Sequence, residues 1–113
     1  MKNFDKNDNF EEIIKNNKIV IFQFGTNACA PCHAIKNKLN DRSKVNEEVP
    51  CYYISCEKYF ALAARNKIFT VPTILVFVEG KLSISKSRYF SLEEIFNKVE
   101  RYLMIMNSID VSI

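Results

Sequence analysis

The chain has 113 residues, of which 48% are hydrophobic and 26% charged, and carries a net charge of +3. That length allows a domain with its own core, the composition is that of a globular protein, and no lysine and arginine cluster is dense enough to make nucleic acid a partner. The polar start, Met1 to Asp8, is no export signal, and the longest apolar run, Ile74 to Val78, is too short to span a bilayer. We therefore expect a single cytoplasmic domain over residues 1–113, monomeric and away from membranes.

Asp8 is placed to cap a short helix reaching Asn17, with Phe10, Ile13 and Ile14 on one face. Ile19-Val20-Ile21-Phe22-Gln23-Phe24, rich in β-branched and aromatic residues, reads as a buried strand ended by Gly25-Thr26-Asn27. A helix follows from near Cys29 to near Ser43. Pro31 is tolerated there because first-turn amides have no helical partner. Cys32, Ile35 and Leu39 share one face of it.

Cys51 to Cys56, led in by Pro50, reads as a second strand, and a helix carrying Phe60, Leu62, Ala63 and Ala64 comes next. Thr73 to Glu79 is a third strand, which Gly80-Lys81 turns into a fourth from Leu82 to Arg88. Ser91 with Glu94 makes a capping box for the last helix. Leu92, Ile95, Phe96, Val99 and Leu103 repeat along it at helical spacing. Residues 106–113 carry no pattern. The first half is thus a βαβ unit with a right-handed crossover, and the second a hairpin followed by a helix. The fold class is α/β, a central mixed β-sheet flanked by helices on both faces.

Four cysteines in a reducing compartment do not form a disulfide framework, which leaves catalysis, metal binding or burial. Cys29 and Cys32 stand at a strand-to-helix junction. There the unpaired first-turn amides and the helix dipole favour thiolate over thiol. Two intervening residues let one sulfur reach the other, so Cys29 can attack a disulfide and Cys32 can break the mixed disulfide that results. Cys29 should be the more exposed, and Cys32 should face the core with Ile35 and Leu39.

Phe22-Gln23-Phe24, Cys29-Ala30-Pro31-Cys32, Thr70-Val71-Pro72-Thr73 and Glu79-Gly80-Lys81, in this order and at these spacings, resemble the thioredoxin family over residues 8–104. The resemblance implies a thioredoxin-like fold and a thiol–disulfide oxidoreductase acting on disulfides of other proteins. It needs no cofactor beyond the redox-active disulfide, and a reductase of the thioredoxin-reductase kind is a possible electron donor. It implies a cis peptide before Pro72, beside the cysteines, with the backbone of Val71 pairing to the substrate chain. The alternative for Pro72 is a simple first residue of a strand.

Three departures mark a divergent member. Ala28 stands where the family has tryptophan, Gln23 replaces its buried acid, and Arg88 lies near the place of a glycine ahead of the last helix. Gln23 cannot accept a proton from Cys32. Ala30, Pro31 and His33 join Gln23 as residues placed to tune the pair, although Ala30-Pro31 does not fix the reduction potential. His33 either acts through its charge when protonated or is an exposed histidine without a role.

Two other functions remain open: a binding module with incidental cysteines, and a metal site made by adding Cys51 and Cys56. Against the metal, one extended strand holds Cys51 and Cys56 about 16 Å apart. That span equally forbids a disulfide between them. Both then read as small buried hydrophobes, with an accessory redox thiol as the alternative for one of them.

Overall fold

The computed structural model describes residues 1–112, and for 109–112 the backbone alone. Its elements run β1 (Lys2–Asn3), α1 (Phe10–Asn16), β2 (Ile19–Gly25), α2 (Ala30–Val45), β3 (Cys51–Ser55), α3 (Phe60–Arg65), β4 (Thr73–Val78), β5 (Lys81–Ser87) and α4 (Leu92–Ser112). The sheet has the order β1-β3-β2-β4-β5. β1, β3 and β2 are mutually parallel, whereas β4 runs antiparallel to both its neighbours, β2 and β5, so the sheet is mixed. The crossover through α2 joins the parallel pair β2 and β3.

Alternation along β2 sorts the core into two layers. Val20, Phe22 and Phe24 pack with Phe10, Ile13 and Ile14 of α1 and Leu62 and Ala63 of α3. Ile19 and Ile21 face the other way, toward Leu39 of α2 and Ile95, Phe96 and Val99 of α4. Each large apolar side chain buried this way contributes about 1.5–3 kcal/mol. Gln23 follows the second set, so a polar side chain lies beneath α2. Among the described residues no helix is long and apolar enough to cross a membrane.

Several boundaries differ from the sequence expectation. Asn9, not Asp8, caps α1, its side chain accepting the Glu12 N–H at 3.0 Å. Asp8 instead accepts the Asp5 N–H at 2.9 Å and the Lys2 ammonium at 2.7 Å, which fixes the loop after β1. β1 itself is exposed and joins β3 by backbone pairing, so no apolar pattern announces it. Ser91 caps α4 as expected, accepting the Glu94 N–H at 3.3 Å. The patternless stretch continues α4 as far as Ser112, and Ile113 lies outside the described residues. The hairpin turn is Glu79-Gly80 rather than Gly80-Lys81. Both residues have positive φ, 51° and 81°, the two-residue turn whose twist matches the flanking strands.

Candidate functional site

Strand β2 delivers the site. It ends at Gly25, residues 26–28 turn, and Cys29 becomes the N-cap of α2 with extended backbone. The Cys29 sulfur accepts the Cys32 N–H at 3.2 Å, the place a serine or aspartate oxygen takes in an ordinary cap. Hydrogen bonds from first-turn amides strengthen when the acceptor is charged, so this position favours thiolate. The two sulfurs are bonded to each other, with Cα atoms 5.2 Å apart. Cys32 is 0% exposed and Cys29 is half-buried. Ala28, Ala30 and Pro31 are exposed around Cys29. Small side chains therefore surround the reachable sulfur.

The loop ahead of Cys29 is held from two sides. The Glu57 carboxylate accepts the Asn27 N–H at 2.7 Å, and His33 Nε2 lies 2.9 Å from the Asn27 carbonyl. His33 is exposed, and its observed contact is this hydrogen bond, which ties the first turn of α2 to the loop.

Beneath the pair, Gln23 is fully buried. Its Nε2 donates to the Cys32 carbonyl at 2.8 Å, and its Oε1 has no partner among the described residues. On the neighbouring strand Tyr53 is the register partner of Gln23. A Cβ on Gly25 would lie 2.7 Å from the Tyr53 hydroxyl and 3.0 Å from Cys32 Cβ, so glycine alone leaves these groups room. The Lys36 ammonium sits 4.2 Å from the Tyr53 ring centroid.

The peptide between Val71 and Pro72 is cis. Thr73 pairs with Phe24, so the register sets Pro72 level with Gly25, at the end of β2 from which the Cys29 loop departs. The Pro72 carbonyl accepts the Arg88 N–H at 2.8 Å. Arg88 has φ 68°, so the backbone keeps a conformation suited to glycine although arginine occupies it. Val71 is half-buried and shares an apolar hollow with Thr26, Cys56, Ile68 and Phe69, the last 83% exposed.

Cys51 and Cys56 are free thiols. Cys51 packs in the α2 and α4 layer and Cys56 in the α1 and α3 layer, so the sheet separates them. Burial pushes the Cys51 thiol up to about 11, and Cys56, half-buried, is also raised, chiefly by burial. Among the described residues no group of three or more histidine, cysteine or acidic side chains could hold a metal ion. Tyr53, Lys36, Gly25 and Glu57 are part of this site but were not expected from sequence. Their spacing in the chain shows nothing until strand register places them around the cysteines.

A family model described as Thioredoxin matches residues 2–101. The thioredoxin-like protein YdfQ of Bacillus subtilis is 25% identical over 91 residues, 80% of this chain and 81% of that one. The thioredoxin of Echinococcus granulosus is 29% identical over 73 residues, 65% of this chain and 68% of its own. Among solved structures, thioredoxin 1 of Thermosipho africanus superposes with a TM-score of 0.71 at 30% identity, covering 78% of this chain and 98% of that one. Malassezia sympodialis thioredoxin shares the fold, with a TM-score of 0.76 at 17% identity over 89% of this chain and 91% of its own.

Proposed function

The chain belongs to the thioredoxin family and is a thiol–disulfide oxidoreductase, and we propose that Cys29 is its attacking thiol and Cys32 its resolving thiol. The observation that supports this division is the difference in access: Cys29 caps the helix at the surface, while Cys32 is wholly buried behind it. The Cys29 thiolate bonds to one sulfur of a substrate disulfide and expels the other as thiolate. Cys32 loses its proton, bonds to Cys29 and expels the second substrate sulfur. The substrate disulfide takes up two electrons and two protons, and the chain is left with its own Cys29–Cys32 disulfide.

Disulfides of other proteins are the substrates. The backbone of Val71, next to Pro72 at the end of β2 from which the Cys29 loop departs, aligns the substrate chain in this reading. Gln23, Ala30, Pro31 and His33 set the properties of the two sulfurs, His33 by fixing the loop. The electron donor in this reading is a dithiol-delivering reductase of the thioredoxin-reductase kind. The protein acts as a monomer in a reducing compartment such as the cytoplasm, consistent with Cys51 and Cys56 being free. No cofactor beyond the redox-active disulfide enters the exchange.

Substitution of Cys32 by serine tests the assignment. Cys32→Ser should accumulate a mixed disulfide at Cys29 with a disulfide-bonded protein substrate, while Cys29→Ser should accumulate little. Equal trapping by both variants, or labelling centred on Cys56, would overturn it.

A further inference from the structure

Cys32 must become a thiolate before it can release a substrate, and Gln23 cannot take its proton. A group under the first turn of α2 that donates a hydrogen bond to the sulfur would favour that ionisation. The register sets Tyr53 beside Gln23, and the missing side chain at Gly25 leaves the Tyr53 hydroxyl and Cys32 Cβ as near neighbours of the same point, at 2.7 and 3.0 Å. Tyr53 is 7% exposed, and its hydroxyl makes no hydrogen bond among the described residues. Lys36 stands one helical turn after Cys32, and its ammonium is 4.2 Å from the Tyr53 ring centroid.

We propose that the Tyr53 hydroxyl, with the Lys36 ammonium over its ring, is the electrostatic partner that steadies the Cys32 thiolate. This rests on the resolving role assigned to Cys32. In the disulfide, Cys32 carries no charge and the hydroxyl is left open. When the Cys29–Cys32 bond is broken and Cys32 carries the electron pair, the O–H donates to its sulfur. The Cys32 proton leaves to water, so tyrosine acts as a donor throughout and is not itself ionised.

The surroundings keep it so. Burial first, then Cys56 and Glu57 beyond β3, raise the Tyr53 pKa and hold the hydroxyl protonated. From β2 the facing group is neutral Gln23. From α2 the cation is Lys36, while His33 is turned to the Asn27 carbonyl.

The test uses an aromatic disulfide reagent that releases one coloured thiolate when Cys29 attacks and a second when Cys32 resolves. Both phases are followed by stopped flow from weakly acidic to alkaline pH. Tyr53→Phe keeps the ring and removes the hydroxyl. Its first phase should match the wild type, and its second should slow about tenfold at neutral pH, with the midpoint moved up by about one pH unit. Lys36→Gln, which keeps much of the half-buried stem and removes the charge, should slow the second phase about threefold. That difference should shrink in concentrated salt, where the screening length falls to about 3 Å. Second phases of Tyr53→Phe and wild type that superimpose at every pH would overturn the proposal and leave the roles of the cysteines standing. A wild type without a first phase at Cys29 would overturn those roles, and this proposal with them.

Discussion

Gln23→Asp restores the acid that the thioredoxin family carries beneath its resolving cysteine, and its cost can be worked from the contacts of Gln23. The side chain is fully buried, and its amide supplies the hydrogen bond at 2.8 Å to the Cys32 carbonyl. Aspartate removes one methylene, about 0.8 kcal/mol of buried apolar volume. When ionised it also leaves that carbonyl without a donor, which costs about 1–3 kcal/mol. Burial favours the neutral acid, whose O–H can return part of the lost hydrogen bond. The expected loss in denaturant unfolding is about 2–4 kcal/mol. In exchange, a carboxylate of raised pKa can take the Cys32 proton. Well-placed general bases contribute about 100- to 10,000-fold. The shorter aspartate stands back from the sulfur, so the expected gain in resolution is about tenfold at neutral pH. The assay is the decay of a preformed mixed disulfide at Cys29 over a pH series. The wild-type rate should climb toward the ionisation of Cys32 without an earlier inflection, and the variant should show one at lower pH. Identical profiles in the two proteins would refute the reasoning and return Gln23 to the ordinary core.

Gly25→Ala should lower stability by about 1–3 kcal/mol in thermal or urea unfolding, because its Cβ would meet the Tyr53 hydroxyl at 2.7 Å and Cys32 at 3.0 Å; no change would mean that these side chains have room to retreat. Arg88→Gly should raise stability by about 0.5–1 kcal/mol in the same assay, since relief of the positive φ exceeds the entropy that glycine adds to the unfolded chain. The Cys51 thiol is raised from 9.0 to about 11 in the fold. The unfolded chain therefore releases that proton first, so the contribution is complete below pH 9.0 and is lost as pH rises through about 11. Cys51→Ala should flatten the alkaline fall in unfolding free energy by about 1.4 kcal/mol per pH unit across that window, and an unchanged slope would place the titrating group elsewhere.

The sequence carried the chemistry better than its setting. Cys29 and Cys32 were legible because a strand-to-helix junction can be read from local pattern: apolar Ile19 to Phe24 before them and the face of Cys32, Ile35 and Leu39 after. Val71 and Pro72 were instead singled out by the resemblance to the thioredoxin family, and the cis peptide it implied before Pro72 is present. Local competition hid smaller features. Asp8 and Asn9 are both good caps, and the Lys2 ammonium and the Asp5 N–H engage Asp8 in the loop, which leaves the cap to Asn9. β1 is two exposed residues paired through backbone, so side-chain periodicity could not reveal it. Beyond Leu103 α4 runs on to Ser112, with Met106 still packed on the α2 and α4 layer, further than the expectation reached. Tyr53 is the larger omission. Its partners are Gln23 across a strand pair, Gly25 by the absence of a side chain, and Lys36 from the helix above. Such a neighbourhood exists only after register is set, and one sequence does not give the register. The reverse holds for Cys51 and Cys56, where a period of two already sets residues five apart on opposite faces. The sheet indeed lies between them.

The claim at the centre of this account is that Cys29 and Cys32 cycle together as one two-electron couple. Equilibrating the protein in a series of dithiol–disulfide buffers, followed by alkylation and peptide mapping, tests it most directly. The account predicts that Cys29 and Cys32 exchange label in step along one curve, with about 29.6 mV for each tenfold change in ratio, while Cys51 and Cys56 stay reduced throughout. Independent titration of Cys29 and Cys32, or oxidation that reaches Cys51 or Cys56 first, would contradict it.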